Sequence, residues 1–287
     1  MNSITGSLHT HGFWTDYRNP NETARAPFNL KYFVGACIKY LDFQAITDIM
    51  SNWPEWKEFT EHRYSALLAT ADPKDKDLHI ENNGIEARVW LYGNEFTIPR
   101  TQEILTNKHF KHILVAGVKE DIFGGRNARD TLKEIKDKGG YAILDHPFMC
   151  DAWTEEEVLD LYDKKLIQAL EWNGGLTFPS WLPKFLRKKT PNRESNHRVL
   201  ALADKIPVIA NDDAHCVDDL KRGAKTSYNI ISGSPKNINL IDYIFQSIER
   251  RDFQRHERYS AFTSPIHHVK YGAQSQKMFG KDGLPPA

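Results

Sequence analysis

The chain has 287 residues, with 38 Lys+Arg balanced by 38 Asp+Glu, so its formal charge is zero. That balance excludes the basic footprint of a wholesale nucleic-acid or anionic-membrane binder, while 40% hydrophobic and 11% aromatic residues suffice to build the core of one large domain or two smaller ones. Three widely spaced cysteines, Cys37, Cys150 and Cys216, exclude a disulfide framework and a C-x-x-C metal pair and fit a reducing cytoplasm.

Taken in chain order, "SITGSLH" at 3–9 reads as the first strand, followed by a helix in "PFNLKYFVGACIKYL" and a strand in "FQAIT" at 43–47. Residues 50–83 are wetter and irregular, and are expected to form a helix and a charged loop inserted over a rim. Strands then follow at "GIEARVWLY" (84–92), "HILVAGV" (112–118) and "YAILD" (141–145). The last two are separated by "ARDTLKEIKDKG", a helical pattern stopped by Lys-Gly-Gly. "TEEEVLDLYDKKL" opens with Thr and acids, a good helix start. "IQALEW" (167–172), "IPVIAN" (206–211) and "TSYNII" (226–231) complete the strands, and "NLIDYIFQSIERRDF" is an amphipathic helix. Strand–helix alternation of this kind predicts a mostly parallel sheet closing as a barrel over residues 1–262, with 263–287 as an extended or disordered tail. No apolar run approaches the roughly 18–20 residues a membrane span needs, and no charged-then-apolar leader opens the chain. The expectation is a cytoplasmic protein with no membrane partner.

The chemistry clusters where these strands end. In "SLHTHGFWTD" (7–16), His9 and His11 stand two apart, so an extended chain points both to one face, and Asp16 follows. Glu86 lies in "GIEA", His112 opens "HILVAG", His146 follows "YAILD", Glu171 and Asn173 close "ALEWN", and "NDDAH" carries Asp213 and His215. In barrels of parallel strands, functional groups collect at the C-terminal strand ends, which share one rim. Arg126, in the Gly-rich "FGGRNAR", is a candidate phosphate clamp.

Six stretches in order, "SLHTHGFWTD", "FQAITDI", "GIEA" with "HILVAG", "GGYAILDHPF", "ALEWNGG" and "NDDAH", resemble the motifs of the PHP (polymerase and histidinol phosphatase) family of metal-dependent phosphoesterases. The resemblance spans roughly residues 4 to 250. It implies a distorted (β/α)7 barrel with a metal cluster at the C-terminal strand ends. In the family pattern, one ion is held by the positions of His9, His11 and Asp213. A second is held by those of Glu86, which bridges, His112 and His146. A third uses those of Asp16 and His215 with a histidine where this chain has Ile49, so the third site is expected to be weakened, leaving two divalent ions; His62 is a possible substitute ligand.

Imidazoles and carboxylates without thiolates suit Mn²⁺, Fe²⁺ or Zn²⁺. Two such ions about 3.5–4 Å apart can activate a bridging water for hydrolysis of a phosphate ester. Asp213 or His215 is then the candidate general acid, and Glu171 and Asn173 orient ligands or line the rim. The reading is a hydrolase acting on a small phosphomonoester of nucleotide, sugar-phosphate or histidinol-phosphate type. The alternatives are a nuclease or phosphodiesterase on short oligonucleotides, with the basic stretch at 181–198 as its groove, and a degenerate non-catalytic module.

Overall fold

The computed structural model describes residues 3–11, 29–50, 62–107, 111–175, 191–214 and 225–259. Its strands are β1 (Ser3–Ser7), β2 (Phe43–Gln44), β3 (Ile46–Met50), β4 (Leu78–Asn82), β5 (Glu86–Leu91), β6 (Asn94–Leu105), β7 (His112–Ala116), β8 (Tyr141–Leu144), β9 (Ala169–Asn173), β10 (Val208–Asn211), β11 (Ser227–Ser232) and β12 (Phe253–Glu257). The helices among the described residues are α1 (Leu30–Cys37), α2 (Arg63–Ala69), α3 (Ala128–Asp137), α4 (Glu155–Asp163), α5 (Pro191–Ala201) and α6 (Leu240–Glu249), with a 3₁₀ turn at Met149–Asp151. None of them is long and apolar enough to cross a membrane.

Local chemistry places several helix starts. Asn29, Asn127 and Asn239 each accept a backbone N–H of the first turn through their side chains, and Thr154 and Glu157 form a reciprocal capping box at α4. The inward faces of α3 and α4 bury Leu132, Ile135, Val158 and Leu161 against Leu144, Leu170 and Val208 of the sheet. On the opposite side α6 buries Ile241, Ile244, Phe245 and Ile248 over Leu114, Ile143 and Ile209. Each such side chain contributes about 1.5–3 kcal/mol by leaving water.

All twelve strands join one sheet. Strands β3 and β6 pair in parallel, as do β8 with β9 and β9 with β10. The sheet curls until its ends meet. Past β10, Asp213 N–H donates to His9 O at 3.1 Å and His11 N–H to Ala214 O at 2.9 Å, while Thr47 N–H donates to Thr10 O at 2.9 Å from the other side. The Thr10–Ala214 bridge is parallel, so His9 and His11 sit in the seam of a nearly closed barrel.

The structure corrects the expectation of a mostly parallel sheet, since its strand pairs are mixed. β7 runs antiparallel to both β6 and β8. The few residues between Leu105 and His112 are too short for a parallel crossover, which needs a dozen or more. The reversal has a consequence for the site: the first residue of β7, rather than its last, lies on the rim where its neighbours end. A second correction concerns β6, which the sequence reading passed over because it carries Asn94, Glu95, Pro99 and Arg100. It is the second arm of a hairpin with β5, turned by Tyr92 and Gly93 at φ 53° and 77°. The stretch at 84–92 is therefore the hairpin's outer arm, and β6 is the barrel strand. Within 50–83, the described part holds α2 and then β4, which extends the sheet beside β5.

Candidate metal centre

The seam between β1 and β10 fixes the first group. His9 and His11 follow β1 and Asp213 follows β10, and all three are buried. His9 Nε2 and His11 Nε2 face each other at 3.2 Å, and Asp213 Oδ1 lies 3.5 Å from the first and 3.4 Å from the second. A tetrahedral ion with bonds of about 2.1 Å has ligand–ligand edges of about 3.4 Å. The three donors therefore stand at the separations one cation would impose. Asp213 Oδ2 is turned away and accepts from Asn173 Nδ2 at 2.9 Å.

The second group comes from the adjoining strands. Glu103 on β6, His112 at the start of β7, and Asp145 and His146 just past β8 offer donor atoms that all lie within 4.8 Å of one another. Glu103 joins the two groups: its Oε1 lies 2.6 Å from His112 Nδ1, and its Oε2 lies 3.2 Å from His11 Nε2. Two of the donor residues have left-handed backbones, His146 at φ 27° and Asp213 at φ 44°. Such strain persists where surrounding structure holds it, and it concentrates at functional sites.

Behind the imidazoles, Glu171 is fully buried at β9. It faces His9 Nδ1 at 2.8 Å and accepts from His146 N–H at 3.1 Å, Asn173 Nδ2 at 3.1 Å and Asn211 Nδ2 at 2.9 Å. A carboxylate behind a histidine fixes the ring's tautomer and aims its other nitrogen at the cation. Burial opposes charge throughout this region, and local partners decide each outcome. It is outweighed at His9 by Asp145, Glu171 and Asp213, which hold the imidazole well above its ordinary range. At His146, burial and then the neighbouring His112 push the imidazole down to about 4, leaving it neutral. Glu103 is held well below the usual carboxylate range by His112 and His11 despite burial. Asp145 is pushed well up by burial and by Glu171.

Of the residues expected from sequence, the structure brings together His9, His11, His112, His146 and Asp213, with Glu171 and Asn173 behind them. Glu86 is a correction: it is buried on β5 and accepts the Leu240 N–H at the start of α6 at 2.8 Å, outside both groups. The hairpin explains this, since the rim-facing glutamate belongs to the arm that enters the barrel. Arg126 is a second correction. Its guanidinium pairs with Glu134 on α3 and donates to Phe123 O, so it does not join the cluster. His62 is half-exposed, 3.9 Å from Asp121, and joins neither group. Asp16, His215 and residues 181–190 of the basic stretch lie outside the described residues. Glu103 and Asp145 escaped the sequence reading. Asp145 was visible as a carboxylate closing an apolar strand beside a histidine, whereas Glu103 needed the hairpin to be recognised first.

No family model matches the chain, and no curated protein matches it. Among solved structures it is similar to the lesion-specific endonuclease PfuEndoQ from Pyrococcus furiosus, with a TM-score of 0.49 and 13% sequence identity, over 99% of this chain and 68% of that one.

Proposed function

We propose that this protein is a metal-dependent hydrolase of phosphate esters, acting on a small phosphomonoester. The observation that carries the reading is Glu103, whose two carboxylate oxygens face two separate sets of buried donors, His11 on one side and His112 on the other. The donor sets fit divalent ions: imidazoles and carboxylates at ligand–ligand spacing, with no thiolate, suit Mn²⁺, Fe²⁺ or Zn²⁺. His9, His11 and Asp213 would hold one ion, and Glu103, His112 and His146 the other. Bound there, the ions neutralise phosphate charge and lower the pKa of water toward neutrality.

The chain's own groups prepare the site. Glu171 holds His9 by its Nδ1 edge and His146 by its backbone, so both rings are oriented before any ligand arrives. Asn173 ties Glu171 to Asp213, making one connected support beneath both donor sets. Asp213 has one oxygen occupied by Asn173 and the other against two histidines, a placement suited to ligation more than to proton donation. A net charge of zero supplies no overall electrostatic attraction to nucleic acid, which favours a small substrate.

The test is a screen of phosphate monoesters and diesters with Mn²⁺, Fe²⁺ or Zn²⁺, run alongside His146→Ala. The expected result is monoester hydrolysis that a chelator abolishes and the variant lacks. Faster cleavage of dinucleotides than of mononucleotides would replace the monoesterase reading with the nuclease one. Ion-free protein with no activity on either class would overturn both.

A further inference from the structure

Two carboxylates, Asp145 and Glu171, lie against the same nitrogen of His9, and both are fully buried. Their surroundings differ sharply. Glu171 is surrounded by donors from His9, His146, Asn173 and Asn211. Neither oxygen of Asp145 has a hydrogen-bond partner. Beside it stand His9 Nδ1 at 3.4 Å and His146 Nε2 at 3.3 Å, with a Glu171 oxygen within 4.8 Å. His9 Nδ1 carries one hydrogen at most, and Glu171, closer at 2.8 Å, takes it. A buried carboxylate with no donor is among the costliest arrangements in a protein interior, and it is retained where a proton or a cation compensates it.

The backbone shows how Asp145 comes to face the cluster. Consecutive residues of a strand point to opposite faces. Asp145 and His146 follow the end of β8, and the left-handed φ of 27° at His146 breaks that alternation, so both side chains enter one cluster. The donor atoms of Asp145 and His146 accordingly fall within 4.8 Å of those of Glu103 and His112.

Resting on the metal-centre reading above, we infer that Asp145 is the fourth ligand of the ion held by Glu103, His112 and His146, and that Glu171 contacts no ion and serves only to position the histidines. Each site then offers two imidazoles and two carboxylates, with Glu103 shared between them, a donor set that suits Mn²⁺ or Zn²⁺.

The experiment titrates Mn²⁺ into ion-stripped wild type, Asp145→Asn, Asp145→Ser and Glu171→Gln by calorimetry, with elemental counts after desalting and melting curves of the ion-free proteins. Wild type should bind two ions. Either Asp145 variant should bind one, with an ion-free melting temperature no lower than that of wild type, because a buried carboxyl without a hydrogen-bond partner is gone. Glu171→Gln should keep both ions with affinity weakened about 10–100-fold. Two ions bound by both Asp145 variants at wild-type affinity would overturn the inference and make Asp145 a protonated acid paired with Glu171. A wild type that binds no ion would instead overturn the metal-centre reading itself, so the two failures are distinguishable.

Discussion

Ile49 and Glu103 are register partners across the parallel pair β3–β6, so their side chains leave the sheet on the same face. Two residues earlier, Thr47 and Thr101 share that face and their hydroxyls meet at 2.8 Å. Ile49 therefore stands beside the carboxylate that links the two donor groups, where the resembled family places a histidine. Its methyl groups offer a cation nothing. Ile49→His should raise the number of ions bound per chain above wild type, counted by elemental analysis after equilibration with excess Mn²⁺. An unchanged count would show that Ile49 does not limit occupancy.

Glu103 and Glu86 separate two readings of the same motif. Glu103→Gln removes the carboxylate common to both groups and should lower phosphate-ester hydrolysis at least about 100-fold, equivalent to about 2.7 kcal/mol of barrier. Glu86→Gln should leave activity and ion content unchanged. Loss of ions in the Glu86 variant instead would return the bridging role to β5.

Glu86 also makes a prediction about stability and pH. Burial pushes its carboxyl above the usual range, despite the Leu240 N–H that it accepts. A folded-state pKa raised above the unfolded value of about 4.3 means that the group's contribution is full below that pH and is lost as pH rises through the folded value. Glu86→Gln keeps an oxygen for Leu240 and removes the titration. In urea unfolding, the variant should equal or exceed wild type at pH 7, and the difference should shrink toward pH 4. A variant that is less stable at pH 7 than at pH 4, relative to wild type, would reverse the assigned sign.

Ion binding should stabilise the fold. At one hundred times the dissociation constant, a ligand that binds only the folded state adds about 2.7 kcal/mol, which for a chain of this size shifts the melting temperature by about 5–10 °C. Scanning calorimetry with Mn²⁺ and then with excess chelator should show the rise and its reversal. A melting temperature indifferent to both would argue against a folded-state ion site.

Gly6 tests the seam that carries His9 and His11. A Cβ there would fall 2.3 Å from the Phe43 carbonyl oxygen and 2.5 Å from its ring, across the β1–β2 pair. Gly6→Ala should cost about 1–3 kcal/mol or more, since a backbone atom cannot step aside as a side chain can. A urea midpoint equal to that of wild type would show that the seam has slack.

Much of the barrel was legible because its strands are short apolar runs flanked by helix caps, and those signals are local. The His-x-His pair, His146 and Asp213 follow such runs directly, so their convergence was readable from position alone. What stayed hidden depends on pairing between distant segments. β6 disguises a barrel strand behind polar residues and a proline, because its first half pairs with β5 outside the barrel wall and only its second half lines the interior. That disguise is why Glu86, and not Glu103, was read as the glutamate of the motif. The reversal of β7 was equally invisible, although it left the place of His112 unharmed, since a strand that starts at the rim serves as well as one that ends there. Asp145 was in plain view in "YAILDHPF", on the face that Ile143 shares with Ala169 and so with Glu171, and it was His146 that strand alternation pointed away from the site. The left-handed backbone angle at His146 brings that side chain in beside Asp145.

The most direct measurement is anomalous diffraction from crystals of this protein equilibrated with Mn²⁺. Two strong peaks are expected, one between His9, His11 and Asp213 and one between Glu103, His112 and His146, with Glu103 touching both. Crystals that diffract well and show no anomalous density at either cluster, or show it only on surface carboxylates, would mean that these buried histidines and acids are not a metal centre.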